Sequence, residues 1–152
     1  MAYLYEAELR NKRTVLVRGK KIICNDAMTD CKKVFEFSTK ELHLDKKAEE
    51  YVFMFAYDTK KMLIGIFEIS HGTINAAFLS NREIFMRALL IGAANIIIVH
   101  NHPSGNILPS EQDRDICKKI MDAAKLLEIP LDDFIIIGSG EYYSFRKENE
   151  LL

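Results

Sequence analysis

Apolar residues in this chain change their spacing several times, and each change predicts an element. Residues 3–9 and 14–18 read as two short strands separated by the charged turn Asn11-Lys12-Arg13. Asn25 or Asp26 is expected to cap a helix reaching about Phe37, followed by a polar connection from Thr39 to Lys47. Tyr51–Tyr57 and Met62–Ile69 are rich in β-branched and aromatic residues and flank Asp58-Thr59-Lys60-Lys61, so they predict a hairpin of mostly buried strands. Gly72-Thr73 interrupts the pattern, and Ile74–Leu79 is read as a further strand.

The period then lengthens. Ser80-Asn-Arg-Glu83 has the form of a capping box and opens a helix to about Ala93, with Ile84, Phe85, Ala88 and Ile91 on one face. Asn95–Val99 is a short apolar strand. Ser110 opens a second long helix whose buried side is expected to carry Ile116, Ile120, Ala123, Ala124 and Leu127, with Pro130 beyond its end. Phe134–Ile137 and Tyr142–Phe145 form a closing hairpin about Gly138-Ser139-Gly140. Strands and helices mix without internal repeats, so the expected class is α/β, a sheet packed by helices.

Composition narrows the partners. The chain has 152 residues, 49% hydrophobic and 28% charged, enough for one core. Its formal net charge of −1 provides no global field for nucleic acid or acidic lipid. Arg10–Lys21 is the exception, with six basic residues and no acid, and it reads as a solvated hairpin or a weak phosphate-binding edge. Cys24, Cys31 and Cys117 form no CxxC pair, which argues against a disulfide framework or a cysteine zinc site and fits a cytoplasmic location. No signal-peptide core or membrane-length apolar run occurs.

The chemistry concentrates in IIIVHNHPSGNILPSEQD, residues 96–113. Side chains at i and i+2 of an extended chain share a face, so His100 and His102 point the same way where the strand ends. Asp113 lies in the first turn of the next helix. If that helix folds back over the strand end, two imidazoles and one carboxylate make a three-ligand set for zinc with one position open, as in catalytic sites. Each part also has an ordinary reading. An H-x-H pair is commonly a pair of surface or turn histidines, and Ser110–Asp113 is a complete capping box whose aspartate bonds back to the Ser110 amide. His43 is expected to be exposed and His71 to serve structure or solvent. Cys117, Phe53, Phe55, Phe67 and Phe78 are read as packing residues.

The stretch matches the JAMM pattern H-x-H-x7-S-x2-D of MPN-domain metalloproteases at His100, His102, Ser110 and Asp113. The longer string His100-Asn-His102-Pro-Ser-Gly105 with Pro109-Ser110-x-x-Asp113 resembles the RadC family in particular, as do Gly72-Thr73 with Asn75, Arg82-Glu83-Ile84-Phe85 and Lys125–Pro130. The resemblance covers roughly Lys46–Arg146. It implies an MPN (JAMM) domain, a mixed central sheet flanked by helices in a cytidine-deaminase-like three-layer architecture. Residues 46–152 would form that domain and residues 1–45, strands plus a helix, an extension of it. The resemblance also implies a zinc-dependent hydrolase of peptide or isopeptide bonds. Zinc would be held by His100, His102 and Asp113, Glu50 would act as general base, and Ser110 would hold the oxyanion or orient water. Glu68 is the rival for the base.

Full-length RadC proteins usually carry an N-terminal helix-hairpin-helix module associated with DNA binding. The residues before the domain here read differently, which loosens the link to DNA repair and resembles the short forms found on mobile elements. The competing reading is a non-catalytic MPN-like module that binds protein or DNA. A zinc nucleobase deaminase is excluded by its signature, H-x-E followed by P-C-x-x-C, which is absent. A peptide or protein substrate is expected, nucleic acid binding only weakly, and no membrane contact.

Overall fold

A computed structural model describes residues 1–24, 27–72 and 79–151. In chain order the elements are strands β1 (Ala2–Arg10) and β2 (Arg13–Ile22), helix α1 (Cys31–Lys40), a short 3-10 turn (Leu44–Lys46), β3 (Glu50–Tyr57), β4 (Leu63–Gly72), α2 (Asn81–Ile91), β5 (Asn95–Asn101), α3 (Glu111–Leu127), β6 (Leu131–Ile137) and β7 (Tyr142–Ser144). The strands form one mixed sheet in the order β2-β1-β4-β3-β5-β6-β7.

The order follows from the connections. Asn11 and Lys12 both take positive φ, which lets a two-residue turn return β1 onto β2 with Arg10 opposite Arg13. β3 and β4 form the predicted hairpin, with Phe55 opposite Ile66. β5 joins β3 antiparallel and β6 parallel. A parallel neighbour needs a crossover, and α3 supplies it. β1 joins the same sheet through a short parallel pairing, Tyr3 with Gly65 and Leu4 with Ile66.

Covering both sheet faces makes three layers. On one face Val52, Met54, Ala56, Ile96, Ile98 and Ile136 pack against Ile84, Phe85 and Ala88 of α2 and Ile116, Ile120 and Ala124 of α3. On the other, Phe53, Phe55, Ile97, Val99 and Ile135 pack with Val34 of α1 and with Leu42 and Leu44. All seven residues of β5 are buried, which explains its unbroken apolar run: a central strand faces a core on each side.

Several expectations are corrected. The first helix is capped by Asp30, whose side chain accepts from Lys32 N and Lys33 N at 3.0 and 3.2 Å, and it runs to Lys40. Asn25 and Asp26 lie outside the described residues. The Thr39–Lys47 segment is not simply a polar connection: it holds the end of α1 and the 3-10 turn and buries Leu42 and Leu44. Ser80 occupies the N-cap of α2 but makes no capping bond through its side chain. Glu83 pairs instead with Arg87 at 2.8 Å and Arg82 at 3.1 Å, because an arginine one turn away offers a charge-assisted bond. Leu127 is 40% exposed and is not among the buried residues of α3. Residues 74–78 of the expected strand, with Thr73, Asn75 and Phe78, fall outside the described residues, and Leu79 is buried before α2 without being part of a strand. Phe53, Phe55, Phe67 and Cys117 are buried as read, and His43 is exposed.

Candidate metal centre

The site forms where β5 ends, beside the start of β3 and under the N-terminus of α3. Ligands in open α/β sheets gather outside the carboxyl ends of strands in this way. His100 lies opposite Val52, on the face shared by Ile96 and Ile98. By strand alternation Glu50 projects to that same face, as does His102. Pro103 and Gly105 turn the chain away, and residues 106–109 lead to α3.

Ser110 caps α3 reciprocally with Asp113. Ser110 Oγ accepts from Asp113 N at 3.1 Å, and Asp113 Oδ2 accepts from Ser110 N and from Ser110 Oγ, each at 2.8 Å. The capping box fixes the aspartate's rotamer and at the same time aims it at the histidines. Asp113 Oδ1 stands 3.4 Å from His100 Nε2 and Oδ2 stands 3.3 Å from His102 Nε2. The capping reading and the cluster reading of Asp113 therefore describe the same side chain.

Glu50 completes the group. One ligand atom each from Glu50, His100 and His102 lie within 4.8 Å of one another. These residues, with Ser104, Ser110, Gln112, Asp113 and Ile116, line a cleft of about 200 Å³. Glu68 lies elsewhere, opposite Phe53 in the sheet, exposed and 3.6 Å from His71. His71 stacks on Tyr51 and takes no part in the cluster.

Both imidazoles are set to offer Nε2. His100 Nδ1 contacts Tyr51 O at 3.1 Å and His102 Nδ1 contacts Asn106 O at 2.7 Å. A carbonyl only accepts, so each Nδ1 carries the proton, and in the neutral ring Nε2 keeps its lone pair. Orientation by a carbonyl behind the ring is the usual support of a metal-binding histidine. The two rings are nearly perpendicular, at 81°, so they converge on a point and do not stack.

The donor spacing suits a small divalent metal. Bonds of about 2.0–2.1 Å give a tetrahedral donor set with edges of roughly 3.3–3.4 Å. One Asp113 oxygen stands at that distance from each imidazole, Oδ1 from His100 Nε2 and Oδ2 from His102 Nε2, so the carboxylate borders both rings through different atoms. Electrostatics agree. Burial opposes ionisation of Asp113, but bonds from Ser110 and, when the rings are charged and Nε2 also carries a proton, from His100 and His102 outweigh it and hold the carboxyl far below the usual range. Burial pulls the His102 pKa down, yet Asp113, the Asn106 carbonyl and the nearby Glu50 leave it raised.

Features that the sequence reading missed hold this arrangement. Asn101, between the two histidines, is 1% exposed and bonds to the backbone of residues 49 and 51. Its placement on a strand with no exposed residue was the available signal, because a buried amide must find partners. Gly138 has a different role: a Cβ there would lie 2.4 Å from Gly105 O, so only glycine lets the 103–109 loop cross the end of β6. Gly105 itself takes φ +82°. Arg114 donates to Pro109 O at 2.9 Å and to both oxygens of Glu150, tying the loop and the closing segment to α3.

Comparison with known proteins agrees with this geometry. A family model described as RadC-like JAB domain matches residues 28–151. A UPF0758 protein of Actinobacillus pleuropneumoniae serotype 5b is 41% identical over 108 residues, covering 71% of this chain and 49% of the relative. One from Pelobacter propionicus is 34% identical over 134 residues, covering 88% and 58%. One from Methanosarcina acetivorans is 39% identical over 104 residues, covering 68% and 45%. The chain thus spans about half the length of the curated relatives it matches. From its matched core and the histidine–carboxylate cluster that core assembles, the chain belongs to the family of RadC-like JAB domains.

Proposed function

We propose that this chain is a zinc-dependent hydrolase of peptide or isopeptide bonds, with His100, His102 and Asp113 as the metal ligands and Glu50 as the general base. The observation that carries the reading is the convergence of two carbonyl-braced Nε2 atoms and two carboxylates on one cleft. When bound, zinc supplies Lewis acidity that brings the pKa of water down to about 7 and polarises a carbonyl.

The chain's own groups divide the remaining work. Asp113 is assigned as ligand and Glu50 as base because Asp113 is buried, held ionised by its surroundings and in contact with both imidazoles, one through each carboxylate oxygen, whereas Glu50 stands half-buried at the cleft wall. Glu50 takes a proton from the attacking water and returns it to the leaving nitrogen, work worth typically 10²- to 10⁴-fold. A hydroxyl has a single proton, and that of Ser110 is directed to Asp113 Oδ2. Ser110 therefore first orients the ligand, and it stabilises an oxyanion only by turning its hydroxyl into the cleft.

The basic stretch Arg10–Lys21 supports no more than weak, salt-sensitive contact with nucleic acid. Arg10 pairs with Glu8, Lys20 with Glu41, and Arg18 lies over the Tyr3 ring at 4.7 Å. Among the described residues no helix is long and apolar enough to cross a membrane.

The test is elemental analysis of metal-reconstituted protein together with a screen of peptide and isopeptide substrates. One zinc per chain and turnover are expected. Glu50→Gln should keep zinc and lose about 10²- to 10⁴-fold in kcat, with KM little changed. Glu68→Gln should leave both unchanged. Absence of zinc uptake, or full turnover by Glu50→Gln, refutes the assignment.

A further inference from the structure

Antiparallel pairing between β3 and β5 ends at Val52 opposite His100. Continued in register, the next pair would be Tyr51 with Asn101. Instead β5 stays with β6: Asn101 pairs with Ile137, and His102 N donates to Ile137 O at 2.8 Å. The strands bearing Glu50 and His102 therefore part just before the site. Asn101 bridges them with its side chain. Its Oδ1 accepts from Tyr51 N at 2.6 Å and its Nδ2 donates to Glu49 O at 3.0 Å. Those partners leave no ambiguity about the amide's orientation, since one only donates and the other only accepts.

The amide imitates a strand. It satisfies the two backbone groups flanking Glu50 as a ladder would, but from the tip of a side chain. The amide stands in for the ladder where β3 and β5 are no longer paired, and Glu50 and His102 both line the cleft beside that junction. The same peptide has a second duty, because Tyr51 O accepts from His100 Nδ1 at 3.1 Å. Residues 49–51 thus carry the carboxylate and also set the tautomer of a histidine.

We infer that Asn101 is a positioning residue that couples Glu50 to the metal-binding histidines, holding the 49–51 peptide so that the carboxylate faces the metal's open side and His100 presents Nε2. The inference rests on the reading of Glu50 as the base. It predicts that the effect of Glu50 on a bound metal depends on the amide at position 101. Leucine at 101 keeps the heavy-atom count and branching of asparagine in a bulkier, apolar side chain and loses both bonds. Serine at 101 gives a second variant that admits water to the orphaned groups.

Cobalt loading provides a readout that needs no substrate. In the native background Glu50→Gln should shift the visible d–d bands of the cobalt protein. In Asn101→Leu or Asn101→Ser the same Glu50→Gln change should leave them in place, zinc alone should bind about 10- to 100-fold more weakly, and the Tyr51 amide should exchange at least about tenfold faster. Nitrogen-15 NMR of the metal-free protein should show that His100 loses its preference for the Nδ1–H tautomer. If Glu50→Gln moves the bands equally in all backgrounds and zinc binds as tightly, Asn101 does not position the site. If Glu50→Gln moves nothing even in the native background, the reading of Glu50 fails first. If neither Asn101 variant folds, Asn101 is a folding residue and the positioning role is overturned.

Discussion

Replacing Asp113 with asparagine separates its two tasks. In the native chain the carboxylate accepts two bonds from Ser110 at 2.8 Å and touches two imidazoles at 3.3 and 3.4 Å, at 4% exposure. Asparagine keeps one oxygen, enough to accept from the Ser110 amide, so most of the N-cap survives; a lost cap costs typically about 1 kcal/mol. What goes is the charge. Bonds to charged groups contribute about 1.5–3 kcal/mol each, and the amide NH2 now faces the imidazoles. The metal-free Asp113→Asn protein should fold with a stability loss of about 1–3 kcal/mol.

Zinc should suffer more. Structural zinc sites bind with roughly 10–16 kcal/mol, so losing the anionic member of a three-ligand set should cost on the order of 3–5 kcal/mol, or about 10²- to 10⁴-fold in affinity. The assay is competition with a chromophoric chelator on protein shown by circular dichroism to be folded, with Glu50→Gln in parallel. If Asp113→Asn binds zinc like the native chain while Glu50→Gln does not, the two carboxylates have been assigned the wrong way round. That result would make Glu50 the third ligand, in keeping with its place among the clustered donor atoms.

Acid should expel the metal, because His102 has a raised pKa and must be deprotonated to ligate. In the metal-free protein the His102 contribution has the opposite sign. The raised His102 pKa contributes stability below the ordinary histidine value that is lost as pH rises through the raised one, and the depressed Asp113 pKa contributes stability above the ordinary aspartate value that is lost in stronger acid. The gap in Tm between zinc-loaded and metal-free protein, measured by calorimetry, should therefore widen from pH 6 to pH 8; a constant gap would contradict the linkage. Gly138→Ala puts a methyl 2.4 Å from Gly105 O, so the 103–109 loop must move, at a cost of about 1–3 kcal/mol and with weaker zinc binding; unchanged thermal denaturation and zinc competition would show that the close approach is dispensable.

Local pattern carried much of the fold. β3, β4 and β5 were legible because central strands need apolar side chains on both faces, and α3 because Ile116, Ile120 and Ala124 recur at helical spacing. The alternation of His100 and His102, and the capping box one loop later, are likewise local. They predicted which side chains would share a face. The cap of α1 falls at Asp30 and not earlier because several polar residues precede that helix and only Asp30 stands where its side chain accepts from Lys32 N and Lys33 N. The Ser80–Glu83 box was misread because a neighbouring arginine competes for the glutamate.

The sequence by itself determined the strand alternation, the helix start and the set of donor types, all properties of residues within one turn or one strand of each other. Only the tertiary structure decided that Glu50 and not Glu68 stands beside the histidines, since that depends on the β3–β5 pairing across 50 residues of chain. It also decided that β5 leaves β3 at Asn101, that Tyr51 and Asn106 carbonyls set the imidazole tautomers, and that Gly138 lets the loop cross. Each of these is a contact of a backbone group with a residue remote in sequence or beyond a turn. A backbone carbonyl is the same in every residue, so no pattern of side chains announces which one will be met.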